Sequence, residues 1–156
     1  MRLRSWLALG AVVSAGLLGA QPAVAAQTAT FAAVTFAADS GDQCRRGVTE
    51  GTLERVQGPV IKPTVHVEGA LSDDASISSC APDGMYSTAT FTGYKGATLV
   101  DRETVKADNG KVAISFGLSD PVGVATIDRV TVQVCRYTTS PIGISYCGKQ
   151  QEYKIP

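Results

Sequence analysis

Histidine and tryptophan occur once each among 156 residues, and aromatic side chains make up only 6% of the chain. A Ser-His-Asp triad or an imidazole metal site therefore has a single histidine to draw on, His66. Val65 and Val67 flank it in an alternating run, so His66 belongs to the polar face of a strand with Thr64 and Glu68. No G-x-S-x-G elbow occurs; Gly143-Ile144-Ser145-Tyr146-Cys147 fails at its last position. The sixteen glycines never fall as G-x-G-x-x-G or G-x-x-x-x-G-K, which leaves phosphate and dinucleotide binding unsupported. Glu50 with Glu54 and Asp73 with Asp74 are the carboxylate pairs available for glycoside chemistry, and nothing in their spacing sets either pair across a cleft. The few aromatics supply a sugar-stacking platform poorly. The expectation is a protein without catalysis and without a cofactor.

An excess of either charge is also missing, with 14 basic and 14 acidic residues. Met1-Arg2-Leu3-Arg4, the uncharged run from Trp6 to Leu18 and Ala23-Val24-Ala25 have the three-part layout of a secretory signal peptide. Residues 1–25 are expected to be removed on export. That step takes Arg2 and Arg4 and no acidic residue, so twelve basic groups face fourteen acidic ones, a formal charge of −2. The basic footprint of a nucleic-acid-binding protein is not there. No later run is long and apolar enough for a spanning helix of ~20 residues. The 131 residues left suffice for one domain with a real core.

What remains reads as strands. Residues 26–43 contain the doubled unit "TFAAVTFAAD", whose period of five suits neither strand nor helix, and are expected to form a loosely ordered lead-in, with an edge strand as the alternative. Residues 44–156 form the domain. "KPTVHVEGAL", "YSTATFTGY", "LVDRETVKA", "KVAISFGLS" and "IDRVTVQVCRY" show alternation or the Thr and aromatic content of strands. Asn109-Gly110 between the third and fourth predicts a hairpin, since a type I′ turn needs positive φ at both central positions. In the last run Val130, Val132 and Val134 share one face, while Arg129, Thr131, Gln133 and Cys135 share the other. About seven such strands joined by Gly, Pro, Ser and Asp predict an all-β antiparallel sandwich, immunoglobulin-like in outline.

Four cysteines, Cys44, Cys80, Cys135 and Cys147, lie in the exported part, and an even count outside the cytoplasm predicts two disulfides. No C-x-x-C spacing favours zinc. Of the three connectivities, Cys135–Cys147 with Cys44–Cys80 is preferred, because only the first of these bridges has a local geometry to support it. Setting Cys135 opposite Cys147 puts Arg136 against Tyr146, Tyr137 against Ser145 and Thr138 against Ile144, with Thr139-Ser140-Pro141-Ile142-Gly143 as the turn. The bridge would staple the outer face of a sheet. The loop it closes offers Tyr137, Thr139, Ser140, Pro141, Ile142 and Ile144 as candidate partner-binding residues. In outline it resembles the disulfide-braced, proline-bearing loops of standard-mechanism serine-protease inhibitors, which implies an alternative role in inhibition through residues 137–145. "LSDDAS" places Asp73 and Asp74 among hydroxyls as weak calcium candidates, without the spacing of an EF-hand.

With its Ala, Val, Thr and Gly content, its A-V-A cleavage site and its "VTVQVCRY…SYCGK" ending, the chain resembles the small secreted β-sandwich proteins of actinobacteria. That resemblance implies extracellular or envelope placement and transfers no functional residue. Export, the disulfides and the lack of a catalytic constellation lead to the expectation of a non-catalytic module that binds an extracellular protein or a surface. Mass spectrometry of the exported protein is expected to give an N-terminus at Ala26 or Gln27 with no thiol open to alkylation; two or more reactive thiols would remove the disulfide framework.

Overall fold

The computed structural model describes residues 32–42, 46–56, 64–74 and 84–156. Among these there are nine strands and no helix long and apolar enough to cross a membrane. β1 (Val34–Asp39), β2 (Gly47–Val56), β3 (Thr64–Asp73) and β6 (Gly110–Ser119) form one antiparallel sheet in the order β1-β2-β3-β6. β4 (Met85–Lys95), β5 (Thr98–Ala107) and β7 (Arg129–Thr138) form the second, in the order β5-β4-β7. Two short strands, β8 (Tyr146–Cys147) and β9 (Gln151–Lys154), pair in turn with the free edge of β7.

Alternation places the core. Leu53, Val65, Val67, Leu71, Ile114 and Leu118 from the first sheet meet Ala89, Phe91, Val130, Val132 and Val134 from the second in one buried cluster. The two inner faces thus share a single core, as expected of sheets that are apolar on one side only. Phe91 lies at its centre, edge-on to Phe36 and Phe116 with ring centroids 5.4 Å apart in each pair. Such edge-to-face pairs are worth about 0.5–1.5 kcal/mol each beyond the area they bury.

Three elements depart from the sequence reading: one expected to be a loose lead-in, one not marked as a strand at all, and one expected to close a hairpin. The supposed lead-in is, from Val34 onward, the regular edge strand β1, and its Phe36 is 3% exposed; residues 26–31 lie outside the described residues. The strand β2 had no readable apolar pattern because its inward positions are Gly47, Thr49, Gly51, Leu53 and Arg55. Phe36 from β1 supplies the missing bulk, since a Cβ at Gly51 would run into its ring and into the Glu68 carbonyl. Third, Asn109-Gly110 does not close a hairpin. It joins β5 in one sheet to β6 in the other, with Asn109 alone at positive φ (52°). Asp73 explains the arch: its Oδ2 accepts the Asn109 backbone N–H at 3.1 Å and holds the turn across the end of the core.

That end carries a buried ionic cluster. The alternation of β7 continues past Val134 and turns Arg136 inward, where it is 2% exposed. Its Nε donates to Asp73 Oδ1 and its Nη1 to Asp42 Oδ2, both at 3.3 Å. Each carboxylate is completed by further donors. Ser87 Oγ reaches Asp73 at 2.6 Å, while Ser40 Oγ and the Arg46 N–H reach Asp42 at 2.8 and 3.1 Å. At the opposite end Arg55 donates to the carbonyls of Ile127 and Ile155 at 2.7 and 3.2 Å, tying β2 to the segments that flank β7 and β9.

The β1 edge is closed from the other sheet. Tyr153 of β9 packs its ring on Phe36, and its hydroxyl both donates to Ala37 O (2.7 Å) and accepts from Ala37 N (3.0 Å). Those backbone groups would otherwise stand open as a template for strand addition. Tyr153→Phe is expected to cost about 1–3 kcal/mol in urea unfolding, with faster hydrogen exchange at the Ala37 amide than at other β1 amides. Unchanged exchange at Ala37 would show that Tyr153 does not seal the edge.

Candidate functional site

The segment from Cys135 to Cys147 departs from β7 with the expected register and then changes course. Cys135 faces Cys147 and Arg136 faces Tyr146. The two cysteines are bonded, with Cα atoms 4.1 Å apart, and the Gly148 N–H donates to Val134 O at 2.9 Å beside them. The sulfur of Cys135 is on the outer face of its sheet, opposite the valines, as the alternation predicts. The residue is nevertheless covered, 8% exposed, and only Cys147 faces solvent.

Beyond Tyr146 the predicted ladder stops. Tyr137 and Thr138 pair on their other side with Tyr86 and Met85 of β4, and Ser145 and Ile144 pair with nothing in a sheet. Thr138 is the cause. Its side chain fills the space into which a Cβ at Gly143 would project, and its Oγ1 accepts the Ser140 N–H at 3.0 Å. The chain then folds into a β-turn from Ser140 to Gly143, with the Gly143 N–H on Ser140 O at 3.2 Å. Pro141 occupies the second turn position, where its fixed φ is favoured.

Two further ties hold the loop. The Thr139 N–H and Oγ1 both donate to Gly84 O, at 2.7 and 2.9 Å. Tyr137 packs against Tyr86 with ring centroids 5.6 Å apart, and Lys106 Nζ lies 3.9 Å over the Tyr86 ring. Tyr137, Thr139 and Ser140 therefore belong to the base and frame of the loop. What it presents is Ile142 at 93% exposure and Ile144 at 70%, with Tyr146 at 40% beside the staple. Two isoleucines on a braced turn are a standing hydrophobic cost, since burying each is worth about 1.5–3 kcal/mol.

The remaining candidates fall elsewhere. Asp73 is fully buried, and its oxygens already accept from Arg136, Ser87 and Asn109, so the calcium reading of Asp73 does not fit its place; Asp74 is exposed next to it. Among the described residues no three His, Cys, Asp or Glu side chains gather as a metal would need. Glu50 and Glu54 share the outer face of β2 four residues apart, which sets their Cα atoms ~13 Å from each other. His66 is on the outer face of β3 with Glu54 and Gly117 as register neighbours, and its Nε2 is 3.5 Å from Glu68 Oε1. Cys44 and Cys80 lie outside the described residues.

Sequence inspection missed a shallow groove of about 1110 Å³ on the outer face of the first sheet. Ala37, Ala70 and Ala113 line it, and Gly51 and Gly69 open it onto Phe36 and Tyr153. No periodic signal marks such a trough, because it is made by side chains that are small or missing. Comparison with protein-family models, curated proteins and solved structures yields no match.

Replacing Cys135 and Cys147 together by serine is expected to lower stability by about 2–3 kcal/mol and to leave a folded β protein, measured by chemical denaturation and far-UV circular dichroism. Outright unfolding of the double variant would mean that the bridge sets the fold and does not merely brace the loop.

Proposed function

We propose that the mature chain is an exported, non-catalytic β-sandwich module that binds an extracellular protein or envelope surface through the tip of the loop 137–145. The observation that carries this is the near-complete exposure of Ile142 on a turn fixed at its base by a disulfide, an aromatic stack and the Thr139–Gly84 hydrogen bonds. A rigid loop loses little entropy on docking, so most of the gain from burying its isoleucines goes into affinity. Export is supported by the leader-like N-terminus and by a disulfide, which persists in oxidising compartments. A second bridge, Cys44–Cys80, belongs to the same proposal.

The fold assigned with it is immunoglobulin-like. Mapping β2, β3, β4, β5, β6, β7 and β9 onto strands A, B, C, C′, E, F and G gives A-B-E facing C′-C-F-G, with the crossovers of a Greek key. The staple differs from the inter-sheet bridge of antibody domains, because it joins neighbouring strands of one sheet.

The alternative is a protease inhibitor. Bracing at both feet of the loop favours it, whereas the β-turn at 140–143 does not offer the extended strand that fits a protease cleft. The test is a photocrosslinking residue placed at Ile142, and in a control at the exposed Val122 on the far end of the domain, exposed to secreted and surface proteins of the source cell. A discrete adduct from position 142 and none from position 122 is the expected result. Stoichiometric inhibition of a secreted serine protease, lost in Ile142→Ser, would replace the proposal with the alternative.

A further inference from the structure

Positive charge is unevenly distributed over this near-neutral chain. On the outer face of the β1-β2-β3-β6 sheet, Asp39, Glu50, Glu54 and Glu68 stand against Lys111, a formal −3. On the outer face of the second sheet, Arg102, Lys106, Arg129 and Lys154 stand against Glu152 and the Asp108 that neighbours Lys106, a formal +2. We propose that this second face, on strands β5, β4, β7 and β9, binds an extended acidic polysaccharide. The proposal goes beyond the loop and does not depend on Ile142.

The cations are arranged for a linear anion lying along the sheet. Lys106 is held over Tyr86 near one end of β4 and 3.6 Å from Asp108, while Arg129 lies over Tyr94 at the other end, 4.5 Å from the ring centroid. Tyr86 and Tyr94 are eight residues apart on one strand face, which sets the two ends about 27 Å from each other. A 2.7 Å hydrogen bond to Glu152 fixes the Arg129 guanidinium and raises its pKa, and the Arg102 Nε leans on Thr92 Oγ1 at 3.3 Å. Arg102 and Lys154 have no carboxylate partner among the described residues, so their charge is free to meet a ligand's.

Hydroxyls fill the space between. Thr88 and Thr90 are half-buried along β4, Thr104 is exposed beside them, and Thr90 and Thr104 exchange a 3.2 Å hydrogen bond that a sugar hydroxyl can enter as donor or acceptor. The centre of the face holds no apolar cluster of the kind that forms the core of a protein–protein interface. Nor does it hold the run of aromatic rings on which bases of a single strand stack. Carboxylates spaced along a chain of hydroxyls match what is there. The scarcity of aromatics in the sequence hid this face, because three of the five tyrosines, Tyr86, Tyr94 and Tyr137, gather on it.

The test is affinity electrophoresis and calorimetric titration of the disulfide-intact mature protein with polygalacturonate, a neutral glucan and single-stranded DNA, at low and at 300 mM salt. Binding to polygalacturonate at low salt, weakened at least tenfold at high salt and absent with the glucan, is expected. Arg102→Glu with Lys154→Glu should weaken it at least tenfold with an unchanged melting temperature, and Ile142→Ser should leave it intact. No binding, equal binding of DNA, or binding indifferent to the double variant would overturn the proposal. So would salt-sensitive self-association that the double variant abolishes, since the basic face would then serve the acidic face of a second copy.

Discussion

Arg136 sits between Asp42 and Asp73 with almost no access to water, and the two sheets meet around that contact. A guanidinium and two carboxylates lose several kcal/mol of hydration each on burial, and their mutual attraction repays this only when every donor and acceptor is used. Here the acceptors are used: Ser40 and Arg46 complete Asp42, and Ser87 and Asn109 complete Asp73. The cluster thereby ties the end of β1, the start of β2, the end of β3, β4, the β5–β6 arch and β7 to one point. Its contribution is positional more than energetic. A slip of one residue in β7 would turn Arg136 outward and leave two carboxylates buried without a counter-charge.

The same strand carries the loop, and the register that buries Arg136 also sets Cys135 on the opposite face, across from Cys147. One alternation thus fixes the valine core, the ion cluster and the staple together. From there local chemistry takes over: Thr138 and Gly143 divert the chain from the ladder into a turn, and the turn lifts Ile142 clear of the surface. The opposite orientation of residues on β4 and β5 builds the basic, hydroxyl-rich face. Loop tip and sheet face are separate surfaces, one set by a braced turn and the other by the outward residues of the second sheet.

Strands with clean period-two patterns were legible in the sequence. β3, β4 and β7 fall where "KPTVHVEGAL", "YSTATFTGY" and "IDRVTVQVCRY" place them, and Val130, Val132 and Val134 face inward. β2 was not legible, because Leu53 is the one apolar side chain among its inward positions, the others being two glycines, a threonine and an arginine, and Phe36 from the neighbouring strand fills the space at Gly51. The Asn-Gly signal correctly marked a tight turn and misled on its partner strands, since a turn's local geometry does not say whether a tertiary acceptor such as Asp73 will pull its arms into different sheets. Arg136 was readable in principle: extending the valine alternation by one step turns a cation inward and calls for buried acids. Nothing local points from Arg136 to Asp42, ninety-four residues earlier in the chain.

The most direct test of this account is a double-mutant cycle between Asp73→Asn and Arg136→Met, followed by equilibrium denaturation. Asparagine keeps one acceptor oxygen, for the Asn109 N–H, and the Ser87 hydroxyl can turn to accept from the new amide; the cycle subtracts these local changes and leaves the ionic contact. The account predicts that each single change costs about 3–5 kcal/mol, the penalty for breaking a buried pair by removing one partner. The double variant should then fall short of the sum by about 1–3 kcal/mol, the coupling of groups in one network. Additivity within about 0.5 kcal/mol would mean that the two residues do not sense each other, and that the sheets are held in register by something other than this cluster.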